Sequence, residues 1–128
     1  MDIGRIAHGG VYIYRGELDF MARTILDSPH METGGNLFGY WTPSGDAVIM
    51  YVLGPGRKSV ARFTSFIQDA DYLQLHADRL FEEYQLSQIA VWQSHHGIVA
   101  SERRRCAIDT RGYAGRRAVA VYIGYWNL

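Results

Sequence analysis

Hydrophobic positions along the chain change period several times, and each change marks an element. Val11-Tyr12-Ile13-Tyr14 is a β-branched and aromatic run, with Gly9-Gly10 before it and Gly16 after it, and predicts a short strand. From Glu17 to Leu26 the apolar residues Leu18, Met21, Ala22, Ile25 and Leu26 recur at the spacing of one helical face. Asp27-Ser28-Pro29 ends that helix. Asn36-Leu37-Phe38-Gly39-Tyr40-Trp41 and the run from Ala47 to Leu53 predict two strands, joined into a hairpin by the turn residues Thr42-Pro43-Ser44-Gly45-Asp46. A fourth strand is expected near Ala61 to Phe66.

Between Asp69 and Tyr84 an apolar stripe of Tyr72, Leu73, Leu75, His76, Leu80, Phe81 and Tyr84 alternates with charge at roughly helical spacing, which predicts a second helix. Ile89-Ala90-Val91-Trp92 reads as a buried strand that delivers Gln93-Ser94-His95-His96 at its end, where Gly97 lets the backbone leave the sheet. Ser101 to Thr110 is expected as a short basic helix with Ser101 as N-cap. Ala118 to Ile123 is a last strand. Together these elements predict an α/β fold: a curved, mixed, mostly antiparallel sheet flanked by two main helices.

Length and composition narrow the reading further. With 128 residues and 48% hydrophobic content, the chain suits one domain over residues 1–128. Thirteen basic residues balance thirteen acidic ones, so no global charge draws it to nucleic acid or an anionic membrane. The strongest local asymmetry is Arg103-Arg104-Arg105 with Arg111, Arg116 and Arg117. It carries no known nucleic-acid motif, and a solvated face is the simpler reading than a nucleic-acid surface. Cys106 is the sole cysteine and cannot form an internal disulfide, which fits a reducing compartment and an expected cytoplasmic location. No secretion signal is expected at the N-terminus, and no apolar run approaches the roughly 20 residues of a membrane span.

Two segments carry a resemblance. Glu32-Thr33-Gly34-Gly35-Asn36-Leu37-Phe38-Gly39-Tyr40-Trp41 and Val91-Trp92-Gln93-Ser94-His95-His96-Gly97, in this order and at this separation, resemble the JAB/MPN (JAMM) metallopeptidase family, its bacterial branch most closely. Gly54-Pro55-Gly56 and Thr64-Ser65-Phe66 add to the likeness, which spans roughly residues 10 to 97. The resemblance implies a JAB/MPN-like, cytidine-deaminase-like α/β sandwich. It also implies a zinc site in which a glutamate is general base, a His-x-His pair and an aspartate of a Ser-x-x-Asp element hold the ion, and the serine supports the oxyanion. Residues i and i+2 of a strand point to one side, which suits two imidazoles on one ion with water in the fourth position. Such zinc lowers the water's pKa toward about 7, and a carboxylate takes its proton.

Carried over by position, Glu32 matches the base and His95 the second histidine. Gln93 stands where the first histidine belongs, and its amide is a far weaker zinc ligand. Ser101-Glu102-Arg103-Arg104 keeps the serine of the Ser-x-x-Asp element but puts Arg104 in the aspartate's place, where a guanidinium cannot bind zinc. Cys106 and Asp109 are the conceivable replacement ligands, and His96, adjacent to His95 on a strand, faces the other way. Two functions from different classes follow from the resemblance. In one, the chain is a non-catalytic relative that binds a ubiquitin-like protein or a partner subunit, such as an E1-like or E2-like protein of the same operon. In the other it is an active zinc isopeptidase with Glu32 as base and Ser101 at the oxyanion. Glu32 by itself reads as a solvated loop carboxylate, His95 as a structural histidine and Cys106 as a small hydrophobe; Ser94 reads as the intervening strand residue.

Overall fold

Two of the strands expected from sequence form the centre of the molecule. The computed structural model describes residues 2–6, 9–28, 30–62, 66–95 and 120–125, with side chains over 10–28, 30–62 and 66–94. In chain order the elements are β1 (Asp2–Ile6), β2 (Gly9–Ile13), α1 (Arg15–Leu26), β3 (Gly34–Trp41), β4 (Ala47–Leu53), β5 (Val60–Ala61), β6 (Phe66–Ile67), α2 (Ala70–Tyr84), β7 (Ser87–His95) and β8 (Ala120–Tyr125). Six strands make one open sheet in the order β1-β2-β4-β3-β7-β8, and β5 and β6 pair separately. The β2–β4 pairing is parallel and the other pairings of the sheet are antiparallel, so the sheet is mixed and mostly antiparallel, as the strand pattern predicts.

The β3–β4 hairpin turns where Thr42 to Asp46 place it. Thr42 N–H donates to the Asp46 carbonyl at 2.9 Å, and Gly45, at φ 86°, takes the left-handed conformation that favours glycine. Asp46 also accepts from Gly10 N–H at 2.6 Å, which ties the turn to β2. Consecutive residues of β3 then face opposite layers. Leu37 joins Val11, Ile13, Ile49, Val52, Ala90 and Trp92 under Leu18, Met21 and Ile25 of α1. Phe38 joins Leu53 and Leu80 of α2 on the other side.

The structure departs from the sequence reading at three places. The strand near Ala61 to Phe66 is instead two two-residue strands, Val60↔Ile67 and Ala61↔Phe66, because the chain doubles back on itself there. The strand read over Ile89 to Trp92 is longer, Ser87–His95, and carries Gln93, Ser94 and His95 as its last three residues, since β3 and β8 both pair with β7 at this end, through Gly34↔Gln93 and Gln93↔Tyr122 to His95↔Ala120. β1 has no counterpart in the sequence reading: Asp2-Ile3-Gly4-Arg5-Ile6 has neither alternation nor an apolar run, and its strand is defined by pairing with β2. The last strand is seen over Ala120–Tyr125, and the basic helix expected from Ser101 to Thr110 lies outside the described residues. No described helix is long and apolar enough to cross a membrane.

Candidate functional site

The two segments that carry the resemblance meet at the start of β3. Glu32 and Thr33, just before the strand, are each only 2% exposed. Backbone groups buried to this degree need partners. Glu32 N–H donates to the Arg62 carbonyl at 2.8 Å, on the stretch after β5. Thr33 N–H donates to Ser94 Oγ at 2.9 Å, and Ser94 N–H donates back to the Thr33 carbonyl at 2.8 Å. The two residues before β3 are therefore held from two sides, Glu32 by the stretch after β5 and Thr33 by β7. Across the same corner Gln93 Nε2 donates to Glu32 Oε2.

Glycine makes this approach possible. A Cβ on Gly34 would sit 2.4 Å from the Trp92 carbonyl oxygen and 2.9 Å from Phe66 Cδ1. One on Gly35 would sit 1.9 Å from the Leu53 carbonyl oxygen, the same oxygen that accepts from Trp92 Nε1 at 3.0 Å. Any larger residue at either position would push β3 away from its neighbours and separate Glu32 from Gln93. The glycine pair that resembles a family motif thus has a steric cause in this chain.

A second polar cluster stands alongside. Gln68 Nε2 donates to Asn36 Oδ1 at 3.0 Å and to the Gly54 carbonyl at 2.9 Å, while Gln68 Oε1 accepts from Gly56 N–H at 2.9 Å. One amide side chain so fastens the Gly54-Pro55-Gly56 turn to β3. Asp69 caps α2: its carboxyl accepts from Lys58 N–H at 3.0 Å and from Tyr72 N–H at 3.2 Å. Those two backbone donors, helped by the Lys58 charge, hold the Asp69 carboxyl below its usual pKa of 3.8.

Of the residues singled out from sequence, Glu32 and Gln93 are in contact, and Ser94 is directly behind them. Ser94 is more than an intervening residue. Its side chain is wholly buried and links β7 to the Glu32 segment, a role that only a polar residue on a buried strand could have signalled. Gln68 carried no such signal, because a lone glutamine before a helix is ordinary. The backbone of His95 is two residues beyond Gln93 on β7, opposite Ala120. Ser101, Cys106 and Asp109 lie outside the described residues, as do His96 and Arg104.

Against zinc, the described side chains of this corner fit poorly. Gln93 presents an amide where the resemblance asks for an imidazole, and its N–H₂ is directed at Glu32. Among the described residues no three His, Cys, Asp or Glu side chains are grouped to hold a metal ion. What the pair can do is hydrogen bonding: a carboxyl engaged by an amide donor is a recognition element for polar groups. No family model matches the chain, and a comparison with curated proteins found no match.

Proposed function

We propose that this chain is a JAB/MPN-like protein of a bacterial ubiquitin-like modification pathway that has given up zinc peptidase chemistry and uses the fold to bind a ubiquitin-like protein or a partner subunit. The single observation behind this reading is the hydrogen bond from Gln93 to Glu32. At the position where the resemblance expects a metal-binding imidazole, the chain supplies an amide that engages the would-be base directly. A glutamate in that contact is occupied as a hydrogen-bond acceptor. The Arg104 substitution in the Ser-x-x-Asp element supports the same reading from sequence.

The zinc content of full-length protein purified without chelator, followed by cleavage of a ubiquitin-like fusion and by titration with the ubiquitin-like protein alone, tests this reading. The expected result is substoichiometric zinc, no cleavage, and saturable binding that weakens in a Glu32→Ala variant. Stoichiometric zinc that disappears in His95→Ala, with cleavage that disappears in Glu32→Ala, would establish the active zinc isopeptidase instead.

A further inference from the structure

Two exposed surfaces, neither of which includes the Glu32 and Gln93 pair, complement each other. Along α2, Asp71, Leu75, Asp78 and Glu82 follow one another at i, i+4, i+7 and i+11, one outward stripe of the helix, and all four are exposed. Leu75 is 61% exposed and Phe81, at the border of the stripe, 55%. Arg79 is the one basic residue of α2, and it approaches Glu83 at 3.8 Å on the neighbouring flank. The β5–β6 hairpin and the turn that leads into it have the opposite character. Arg57, Lys58, Val60, Ala61, Arg62 and Ile67 are exposed, Ile67 at 57%, and no acidic residue occurs in sequence from Arg57 to Gln68.

Each surface therefore joins exposed aliphatic side chains to charge of one sign, and the signs are opposite. Exposed aliphatic residues gain by mutual burial, and opposite charges set which surfaces meet. The balanced total of thirteen basic and thirteen acidic residues means that two copies approach without net repulsion. We propose that a second copy of this chain docks the basic β5–β6 hairpin onto the acidic α2 stripe, in a head-to-tail contact. The interface is heterologous, so association continues past the dimer unless the ring closes. One helical face is a small area, so the contact is weak and salt-dependent.

Sedimentation velocity of the full chain, at about 50 mM and about 500 mM salt, reads this directly. The expected result is concentration-dependent association at low salt that falls about tenfold or more at high salt. Two variants, Leu75→Ser with Asp78→Asn and Arg62→Gln with Ile67→Ser, each remain monomeric while keeping the circular dichroism of the parent. An equimolar mixture of them regains association but stops at the dimer, because only one intact stripe and one intact hairpin remain to meet. A wild-type monomer at low salt, a mixture that stays monomeric, or association lost in Arg103→Gln with Arg104→Gln but kept in the hairpin variant would each overturn the proposal.

Discussion

α1 and α2 cover opposite layers of one sheet and are of similar length, 12 and 15 residues, yet α1 buries Leu18, Met21, Ala22 and Ile25 whereas α2 buries Leu80 alone. The α1 layer is a continuous apolar core that includes Trp92, Leu37 and Ile49. On the other layer Phe38, Leu53 and Leu80 are ringed by half-buried Tyr51, Tyr72, Leu73, Ala77 and Leu86. α2 is secured by polar bonds instead, through its Asp69 cap and the Gln68 amide. The difference teaches where function has room. A layer held by packing tolerates little change, while a layer held at its end by a few hydrogen bonds leaves most of its helix surface available.

The largest effect should separate the two layers. Met21→Ala removes a fully buried side chain from the α1 layer and is expected to cost about 2–5 kcal/mol in chemical denaturation. Leu75→Ala on α2 is expected to change stability by no more than about 0.5 kcal/mol. Equal costs would show that α2 packs as α1 does and would remove the contrast.

Smaller, and specific to the corner between the layers, is Ser94→Ala. It leaves the buried Thr33 N–H without its acceptor, which is expected to cost about 1–3 kcal/mol. If the residue only filled space, Ser94→Ala would be close to neutral. Urea unfolding distinguishes the two, and Ser94→Thr, which keeps the hydroxyl, should recover part of the loss.

The same contrast explains how much was legible in the sequence. α1, with four buried residues at helical spacing, and β4, a run of seven mostly apolar residues, stand out because packing imposes a period on residue type. α2 is legible as a helix, but its stripe includes Leu75 and Phe81, which the structure leaves exposed, so periodicity located the helix without locating its buried face. β1 escapes, and β5 and β6 read as one strand, because β1 carries no alternation and two-residue strands are too short to show a period. In the candidate site Glu32 and Gln93 could be placed together from the resemblance of their segments. Ser94, Arg62 and Gln68 could not, since each acts through a hydrogen bond to a residue distant in sequence.

Acid should act on the α2 layer through Asp69. Its folded pKa is lowered below 3.8 by the Lys58 and Tyr72 backbone donors, so its contribution is complete above 3.8 and is lost as pH falls through the lowered value. Asp69→Ala lacks the contribution at every pH. The gap in urea midpoint between wild type and Asp69→Ala should therefore be open at neutral pH and narrow at about pH 2. A gap independent of pH would mean that the cap works by its shape and not by its charge.

Glu17 on α1 behaves in the opposite sense, and the smallest prediction concerns it. Its Oε2 accepts from Val52 N–H at 3.2 Å, beyond Ile13↔Ile49, the last pairing of β2 with β4, so the side chain takes over where the neighbouring strand ends. Burial raises its pKa above 4.5, and the Val52 bond only partly offsets that rise. A raised carboxyl pKa means that the charged form is disfavoured on folding: stability is lost as pH rises through the window between 4.5 and the raised value, and the loss persists at neutral pH. Glu17→Gln keeps an acceptor for Val52 and removes the charge, so it should stabilise the protein at pH 7. Because the group is partly exposed, the gain is held to roughly a few tenths of a kcal/mol. The gain should vanish below pH 4.5, where the wild-type carboxyl is neutral in both states. Thermal melts at neutral and acid pH decide it. A Glu17→Gln variant less stable than wild type at pH 7 would mean that the Val52 bond needs the charge, and that both helices are tied to the sheet by ionised carboxylates.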